Sequence, residues 1–244
     1  MIRVYSIKTD AENMQEVLLK QHFKLKYKGK KTANSFWLNY GRCAVLQNTH
    51  LIFVSQKDQV VVYDLTRLHS PDFENTKSQT GPQLLSIGKQ VQDLAVLSET
   101  EMFVLTEDHK VVHLKQTKGK LAIHKEAPAS KDSVSSCVET TICCGDSAVI
   151  VIGYRETANS NCYYLLDHSL ELKDTVEVVL TVKRSPQDLH IHKASLFTRE
   201  NILHLFALNI ACSVNVIVVH RSKLHPVIVN TKICGGTIYL SQSI

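Results

Sequence analysis

The sequence predicts an all-β fold built from repeated antiparallel units, and three observations support this prediction. Apolar runs rich in Val, Ile and Tyr occur in pairs, with a short polar break inside each pair. The pairs recur at nearly constant distance, because Val61, Val111, Tyr163 and Val216 follow one another at intervals of 50, 52 and 53 residues. Helical periodicity is hardly visible after Lys20. Such a period indicates units arranged side by side, each too small to bury its own apolar face.

Each pair of runs has the pattern of a β-hairpin, since β-branched residues flank a polar turn. The predicted hairpins combine residues 51–54 with 60–63, 102–105 with 111–114, 149–152 with 163–166, and 203–208 with 214–219. Shorter apolar runs at 91–96, 138–143 and 189–191 precede the last three hairpins. A unit therefore offers about four strands in about 50 residues, and the hairpin is interpreted as its third and fourth strands.

We interpret residues 1–244 as one domain with clear repeat units at 36–68, 84–125, 134–175 and 186–230. Residues 2–7 are predicted to form a short strand. Met14, Val17 and Leu18 have helical spacing and predict one or two helical turns over residues 12–20. The segment 10–34 is interpreted as a lysine-rich N-terminal insertion or loop.

The first unit resembles the end of a WD repeat over residues 53–65, Phe-Val-Ser-Gln-Lys-Asp-Gln-Val-Val-Val-Tyr-Asp-Leu. The Gly-His dipeptide of that family is absent throughout. The resemblance covers roughly residues 36–230 and implies a divergent, WD-like β-propeller in which each unit is one blade. The positions that correspond to the family's Trp-Asp dipeptide are Tyr63-Asp64, His113-Leu114 and Leu166-Asp167.

The clear units, together with the strand at residues 2–7 and the apolar residues near the C-terminus, predict an irregular propeller of about four to five blades. It is either a small, irregular ring or part of a larger one. The second alternative is favoured because residues 2–7 resemble the last strand of a blade whose earlier strands are missing. A two-sheet sandwich is the alternative fold. A sandwich predicts strands every 8 to 12 residues but no period near 50.

Composition narrows the class of protein further. Hydrophobic residues make up 44% and charged residues 21% of the 244 residues, as in ordinary globular proteins. No apolar run reaches the ~18 residues that a membrane span needs, and the N-terminus lacks the pattern of a secretory signal. The seven cysteines include no C-x-x-C pair, so we interpret them as reduced thiols of a core. We expect a cytoplasmic or nuclear protein that is not secreted.

A lysine-dense segment is the one strong charge feature of this chain, whose net charge is +5. With Phe23 and Tyr27 interleaved, its lysines could contact a phosphate backbone while a ring stacks on a base. They could equally lie on a solvated loop or edge strand, where lysines discourage aggregation. The segment comprises Lys24, Lys26, Lys28, Lys30 and Lys31, and Lys183, Arg184 and Lys193 could extend it.

Catalytic patterns are weak. His190 and His192 are spaced to share one face of a strand, with Asp188 as the nearest acid, but the sequence names no further metal ligand. Cys143 and Cys144 are interpreted as buried thiols at a strand end, and no Gly-x-Ser-x-Gly motif occurs. We therefore predict no catalytic residues, no metal and no cofactor.

The leading functional hypothesis is a non-catalytic scaffold within a multi-subunit complex, whose partners are other protein subunits rather than membranes or small-molecule substrates. Asp72, Phe73 and Glu74 are predicted to contact a partner, because a Phe in a polar loop is a plausible anchor. The alternative is an RNA- or DNA-binding accessory subunit that uses the lysine segment. A third hypothesis is a hydrolase with His190 and His192 as metal ligands.

Overall fold

A computed structural model describes the backbone of residues 2–9, 17–25, 38–46, 50–55, 58–64, 83–130, 136–179, 191–199, 202–209, 214–227, 229–234 and 237–242. Side chains are described for residues 52, 58–62, 83–130, 136–138, 140–179 and 217–227. These parts of the chain contain twenty β-strands and one 3₁₀ helix, Glu156–Ala158. The predicted all-β class is confirmed.

Four sheets have four antiparallel strands each, paired in chain order, and are called blades I to IV. Blade I contains β3 (Leu38–Leu46), β4 (His50–Ser55), β5 (Gln59–Asp64) and β6 (Gln83–Ser86). Blade II contains β7 (Val91–Val96), β8 (Glu101–Thr106), β9 (Lys110–Thr117) and β10 (Lys120–Pro128). Blade III contains β11 (Glu139–Gly145), β12 (Ala148–Arg155), β13 (Ser160–Leu166) and β14 (Leu172–Val179). Blade IV contains β15 (Ile191–Arg199), β16 (Ile202–Asn209), β17 (Val214–His220) and β18 (Lys223–Val227).

Two further sheets are antiparallel pairs. The first joins β1 (Ile2–Thr9) to β2 (Val17–Leu25), and the second joins β19 (Val229–Cys234) to β20 (Thr237–Gln242). The predicted strand at residues 2–7 is confirmed, but it pairs with β2 as a hairpin. The helix predicted over residues 12–20 is wrong from Val17 onward, since that part forms β2. Cross-strand pairing with β1 outweighs the helical spacing of a few apolar residues.

All eight apolar runs of the predicted hairpins lie in strands, which confirms them. Their interpretation as third and fourth strands is wrong, because each pair forms the second and third strands of its blade. The fourth strands were missed because their apolar runs are shorter and more often interrupted by polar residues than those of the second and third strands. In β14, for example, partly buried residues alternate with exposed ones, as expected of a sheet edge.

The blades lie side by side through their first strands. β7 contacts both β3 and β11, and β11 in turn contacts β15. A succession of four-stranded antiparallel sheets that meet along their first strands is the arrangement of propeller blades. The fold is therefore an irregular β-propeller with four blades in the described part of the chain, and the two-layer sandwich is not what forms.

The core consists of apolar layers between neighbouring blades. In β8, Met102 and Val104 pack toward blade I, whereas Phe103 and Leu105 pack toward blade III. β13 behaves likewise: Tyr164 faces blade II and Tyr163 faces blade IV. Because successive side chains of a strand point to opposite faces, a central strand that is covered on both sides reads as one continuous apolar run.

Polar side chains also join neighbouring blades. Asp93 of β7 accepts hydrogen bonds from the Thr141 hydroxyl and, at 3.1 Å, from the Ile142 amide of β11. Asp174 of β14 accepts one from the Leu224 amide of β18 at 2.8 Å. Each bond joins residues 48 to 50 positions apart, which is close to the repeat period of 50 to 53 residues. The period in the sequence therefore reflects contacts between equivalent positions of adjacent blades.

Within the described residues, no helix has both the length and the apolarity that crossing a bilayer requires.

Candidate interaction site

A cleft of about 450 Å³ opens between blades III and IV. Ala148, Leu165, Leu166 and Val219, at strand ends, form its apolar part. Three turns surround them, each joining consecutive strands of one blade. The turns bring together the polar side chains of Asp146, Ser147, Asp167, Lys173, Arg221 and Ser222. This inter-blade cleft is the candidate site.

The first turn joins β11 to β12. Gly145 pairs with Ala148, so that Asp146 and Ser147 form a two-residue connection between the strands. The His168 Nε2–H donates a hydrogen bond of 2.9 Å to the Gly145 carbonyl. That bond ties the first turn to the turn between β13 and β14 and so fixes one wall of the cleft.

The second turn joins β13 to β14 and is closed by Asp167. Its carboxylate accepts the Glu171 amide at 3.0 Å, and its carbonyl accepts the Leu170 amide at 2.9 Å. Leu170 has φ 60° in this turn, yet its side chain is buried in the layer between blades II and III. Burial of the leucine offsets the cost of its left-handed backbone.

The third turn joins β17 to β18. His220 pairs with Lys223, so Arg221 and Ser222 form the connection, with φ 48° and 59°. Positive φ at both positions defines a tight hairpin turn that favours Gly, Asn or Asp. Here neither residue is of that kind, so the backbone is strained where both side chains line the cleft.

The charges of the cleft are only partly paired. Lys173 lies 2.8 Å from both Asp167 and Glu171, and it is thereby held as a cation whose pKa is raised, first by the bond to Asp167. Burial acts to raise the pKa of Asp167, but hydrogen bonds from Lys173 and from the Glu171 amide outweigh it and lower the pKa. Arg221, by contrast, makes no hydrogen bond or ion pair within the described part of the chain.

The arrangement suits recognition of a carboxylate. The Arg221 guanidinium can pair with both oxygens of a carboxylate, and the hydroxyls of Ser147 and Ser222 lie in the same cleft as further donors. The apolar strand ends beneath provide a surface for the stem of such a side chain.

A second polar cluster lies between blades II and III, at one of the WD-like positions. His113 Nε2 is 3.0 Å from a Glu101 oxygen, and the Lys115 ammonium is 2.6 Å from the other oxygen. The His113 ring stacks on Phe103 with centroids 4.6 Å apart. His113 is buried and the cluster links β8 to β9 within blade II, with only the Lys115 end exposed.

The predicted partner residues Asp72, Phe73 and Glu74 lie outside the described residues, and their role stays a prediction. The chain that carries them joins β5 to β6. This is the connection between third and fourth strands, the same connection that supplies Asp167 and Arg221 in blades III and IV.

Of the lysine segment, Lys24 lies in β2, whereas Lys26, Lys28, Lys30 and Lys31 lie outside the described residues. Lys193 lies in β15, and Lys183 and Arg184 fall outside. Nothing described brings these cations together, so nucleic-acid binding stays a hypothesis.

The predicted histidine pair is only partly described. His192 lies in β15 at a bulge between Ile191 and Lys193, while Asp188 and His190 lie outside the described residues. Across the residues that are described, no three His, Cys, Asp or Glu side chains are grouped closely enough to hold a metal. Cys143 is buried and Cys144 is partly buried at the end of β11, as the sequence predicts.

Sequence reasoning missed most of the cleft. Of the cleft residues, the sequence singled out Asp167 as part of a repeat dipeptide, whereas Arg221 and Ser222 did not stand out. The one available signal is that each of the three lies within three residues of the end of a predicted strand. Proximity of the three turns depends on how blades III and IV pack, which a single sequence does not state.

Comparison with known proteins supports the fold and gives no family. No protein-family profile matches the chain, and no curated protein matches it. Among solved structures, it is similar to a protein of Bacteroides fragilis provisionally assigned as a 6-phosphogluconolactonase, with a TM-score of 0.52 and 10% identity over 92% of this chain. It also aligns with the WD40 domain of SCAP from fission yeast, with a TM-score of 0.45 and 12% identity over 78% of this chain.

The chain spans 63% of the first of these structures and 44% of the second, less than two thirds of either. At such identities the alignments bear on the fold alone. Together with the sheet order, the first alignment defines the class: the chain is a propeller-type protein.

Proposed function

We propose that this chain is a non-catalytic interaction module that docks an acidic segment of a protein partner in the inter-blade cleft. The observation that supports the proposal is Arg221, a cation without a partner among the described residues, held on a strained turn at the mouth of the cleft. Strained backbone concentrates at functional sites, and loops on a rigid scaffold are the usual place for binding residues.

The charges explain why an acidic segment fits. Lys173 already neutralises Asp167, whereas Arg221 forms no ion pair with any residue that the structure describes. A partner carboxylate on the exposed Arg221 would form a charge-assisted pair. The connection that carries Asp72, Phe73 and Glu74 in blade I would extend the same kind of surface.

Two charge reversals of matched setting test the proposal. Arg221→Glu reverses the cleft cation, and Lys118→Glu reverses an exposed cation at φ 51° in the β9–β10 turn of blade II. We expect wild type and Lys118→Glu to recover the same stoichiometric protein partners in gentle affinity purification, whereas Arg221→Glu loses them. Equal recovery by all three proteins, or a lone chain in every case, would contradict the proposal.

Cross-linking locates the contact directly. A photoreactive phenylalanine in place of Ser222 should attach to a partner peptide that contains Asp or Glu next to the attachment point. Attachment only to this chain, or to a basic peptide, would count against an acidic docking segment.

The non-catalytic part of the proposal has its own assay. Hydrolysis of 6-phosphogluconolactone, the activity to which the Bacteroides fragilis protein was provisionally assigned, should not exceed the buffer rate. Product formation proportional to the concentration of this protein would overturn it.

We also place the protein in the cytoplasm or nucleus. The support is that Cys137, Cys143, Cys144 and Cys162 are all free thiols, as is usual in reducing compartments. A fluorescent fusion that accumulates in the secretory pathway would contradict this localisation.

A nucleic-acid-binding role is the alternative, and one observation favours it beyond the lysine segment. Lys118 and Lys120 are exposed in the β9–β10 turn and add positive charge to blade II. If this role is correct, an RNA oligonucleotide should bind with an affinity that falls steeply with salt, and Lys118→Glu should weaken it. Salt-independent or unmeasurable binding in fluorescence anisotropy would exclude it.

A further inference from the structure

Two cysteines of blade III share one small buried space. Cys162 of β13 pairs with Gly153 of β12, and Cys137 lies just before β11. A Cβ atom added to Gly153 would lie 2.5 Å from the Cys137 sulfur. Because Gly153 has no side chain, the Cys137 thiol fills that position and hydrogen-bonds the thiol of Cys162.

An arginine is fixed beside the pair from both sides. The Arg155 Nε–H donates to the Ser136 hydroxyl at 3.2 Å, next to Cys137 in the chain. The Arg155 Nη1–H donates to the Glu177 carboxylate at 2.7 Å. Glu177 is the β14 residue that pairs with Cys162. The guanidinium is thereby held where its charge acts on the Cys162 sulfur.

Each of the two sulfurs affects the pKa of the other. The hydrogen bond from Cys137 and then the charge of Arg155 lower the pKa of Cys162 to about 7, against the effect of burial. The same hydrogen bond, followed by burial, raises the pKa of Cys137. One thiolate next to one thiol is the arrangement that lets a sulfur be oxidised and then resolved.

The other described cysteines provide a comparison within the same blade. Burial raises the pKa of Cys143, and it raises that of Cys144 to about 12. Neither is described next to an arginine or a second strand's thiol. They therefore serve as matched controls for oxidation.

The cover over the pair is thin. Cys137 is 7% exposed, and its chain neighbours Ser136 and Val138 are both exposed. Cys162 packs in the same apolar layer at 1% exposure. Cys137 is thus the more accessible of the two sulfurs.

We propose that Cys137 and Cys162 are an oxidisable dithiol site whose co-reactant is hydrogen peroxide. The Cys162 thiolate attacks one peroxide oxygen, the O–O bond breaks, and the leaving hydroxide takes a proton to form water. The resulting sulfenic acid is attacked by the Cys137 sulfur, which forms the S–S bond and releases a second water. Two thiols are oxidised by two electrons in total, one peroxide is reduced to two waters, and both thiol protons end in water.

Peptide mapping of the full, reduced chain tests this without any substitution. After exposure to hydrogen peroxide and alkylation in denaturant, mass spectrometry should find a Cys137–Cys162 cross-linked peptide with two hydrogens lost, reversed by dithiothreitol. The rate should rise with pH, because the attacking group is the Cys162 thiolate. Both cysteines recovered as alkylated thiols, or overoxidised without cross-linking, would overturn the proposal.

Cysteine variants test which residues form the cross-link. Cys143→Ser and Cys144→Ser should leave the cross-link intact, whereas Cys162→Ser should abolish it and leave Cys137 as a thiol. The oxidised wild-type chain should also unfold roughly 5 °C higher than the reduced one, because the bond constrains the unfolded chain. Cross-linking that persists in Cys162→Ser, through another cysteine, would contradict the assigned pair.

Discussion

Gly153 shows how a single residue controls the approach of a loop to a sheet. Its missing side chain leaves room for Cys137, whose sulfur and Cβ lie 2.5 and 2.8 Å from the position that an added Cβ would take. Real Cβ contacts are not so short, so any larger residue must displace the segment before β11.

We predict that Gly153→Ala destabilises the protein by about 1–3 kcal/mol, because the new methyl group overlaps Cys137. Denaturant unfolding measures the change. In the double variant Gly153→Ala with Cys137→Ala the closest atom is gone, so part of the loss should be recovered relative to Cys137→Ala alone. Equal losses in both backgrounds would show that Cys137 is not the cause.

The burial of His113 makes the stability of the protein depend on pH. Burial lowers its pKa, and this exceeds the opposing effect of the Glu101 hydrogen bond; His124 and Lys115 also lower it. The pKa of His113 in the folded state lies below its unfolded-state value of about 6.5. As the pH falls, His113 is therefore protonated in the unfolded chain before it is protonated in the folded protein, and this favours unfolding. Stability from this group is therefore present above that value and is lost below it.

We expect the free energy of unfolding to be smaller at pH 5.5 than at pH 7.5, with part of the difference from His113. His113→Gln should reduce the difference between the two pH values. Urea unfolding of both proteins checks this. A larger pH effect in the variant would contradict the assignment.

The β17–β18 turn keeps an unfavourable backbone conformation because its flanking strands are well paired and packed. Its two residues adopt left-handed φ without being Gly, Asn or Asp, and each such residue costs about 1–2 kcal/mol. The strand pairing on either side and the packing of Leu224 against blade III keep the turn in place.

We predict that Ser222→Gly stabilises the protein by roughly 0.5–1 kcal/mol, since glycine removes the strain but adds freedom to the unfolded chain. Ser147→Gly in the β11–β12 turn is the control, because Ser147 does not have a positive φ. It should be neutral or destabilising. Thermal unfolding distinguishes the two, and a gain in both variants would refute the explanation by strain.

Elements were predictable from the sequence where both of their faces are buried. β12 and β13 are buried along nearly their whole length and read as unbroken apolar runs. β10 and β14 are largely exposed edges, so their composition resembles that of loops. The cleft was not predictable, because Asp146, Asp167 and Arg221 come from three turns and two blades that only tertiary packing brings together.

For the molecule as a whole, the order of strands within a blade predicts a gradient of protection. β12 is paired on both sides, by β11 and β13, whereas β14 is paired only with β13. Amide groups on the open side of an edge strand lack a partner strand and exchange more readily.

We predict that amide hydrogens of β12 and β13 exchange more slowly than those of β14 by about tenfold or more, and that β8 and β9 differ from β10 in the same way. Hydrogen exchange followed by mass spectrometry resolves these strands. Equal protection of β14 and β12 would indicate that another chain covers the edge of blade III.

The alternation of side chains in β8 also governs how substitutions combine. Met102 and Phe103 are sequence neighbours, yet they belong to different layers, whereas Phe103 and Tyr164 lie far apart in the chain and share one layer. Thermodynamic coupling between two sites should follow the layer rather than the chain. During evolution, a substitution in one blade would then be compensated by a substitution in the adjoining blade, about one repeat away in the sequence. Residues next to each other in the same strand would change independently.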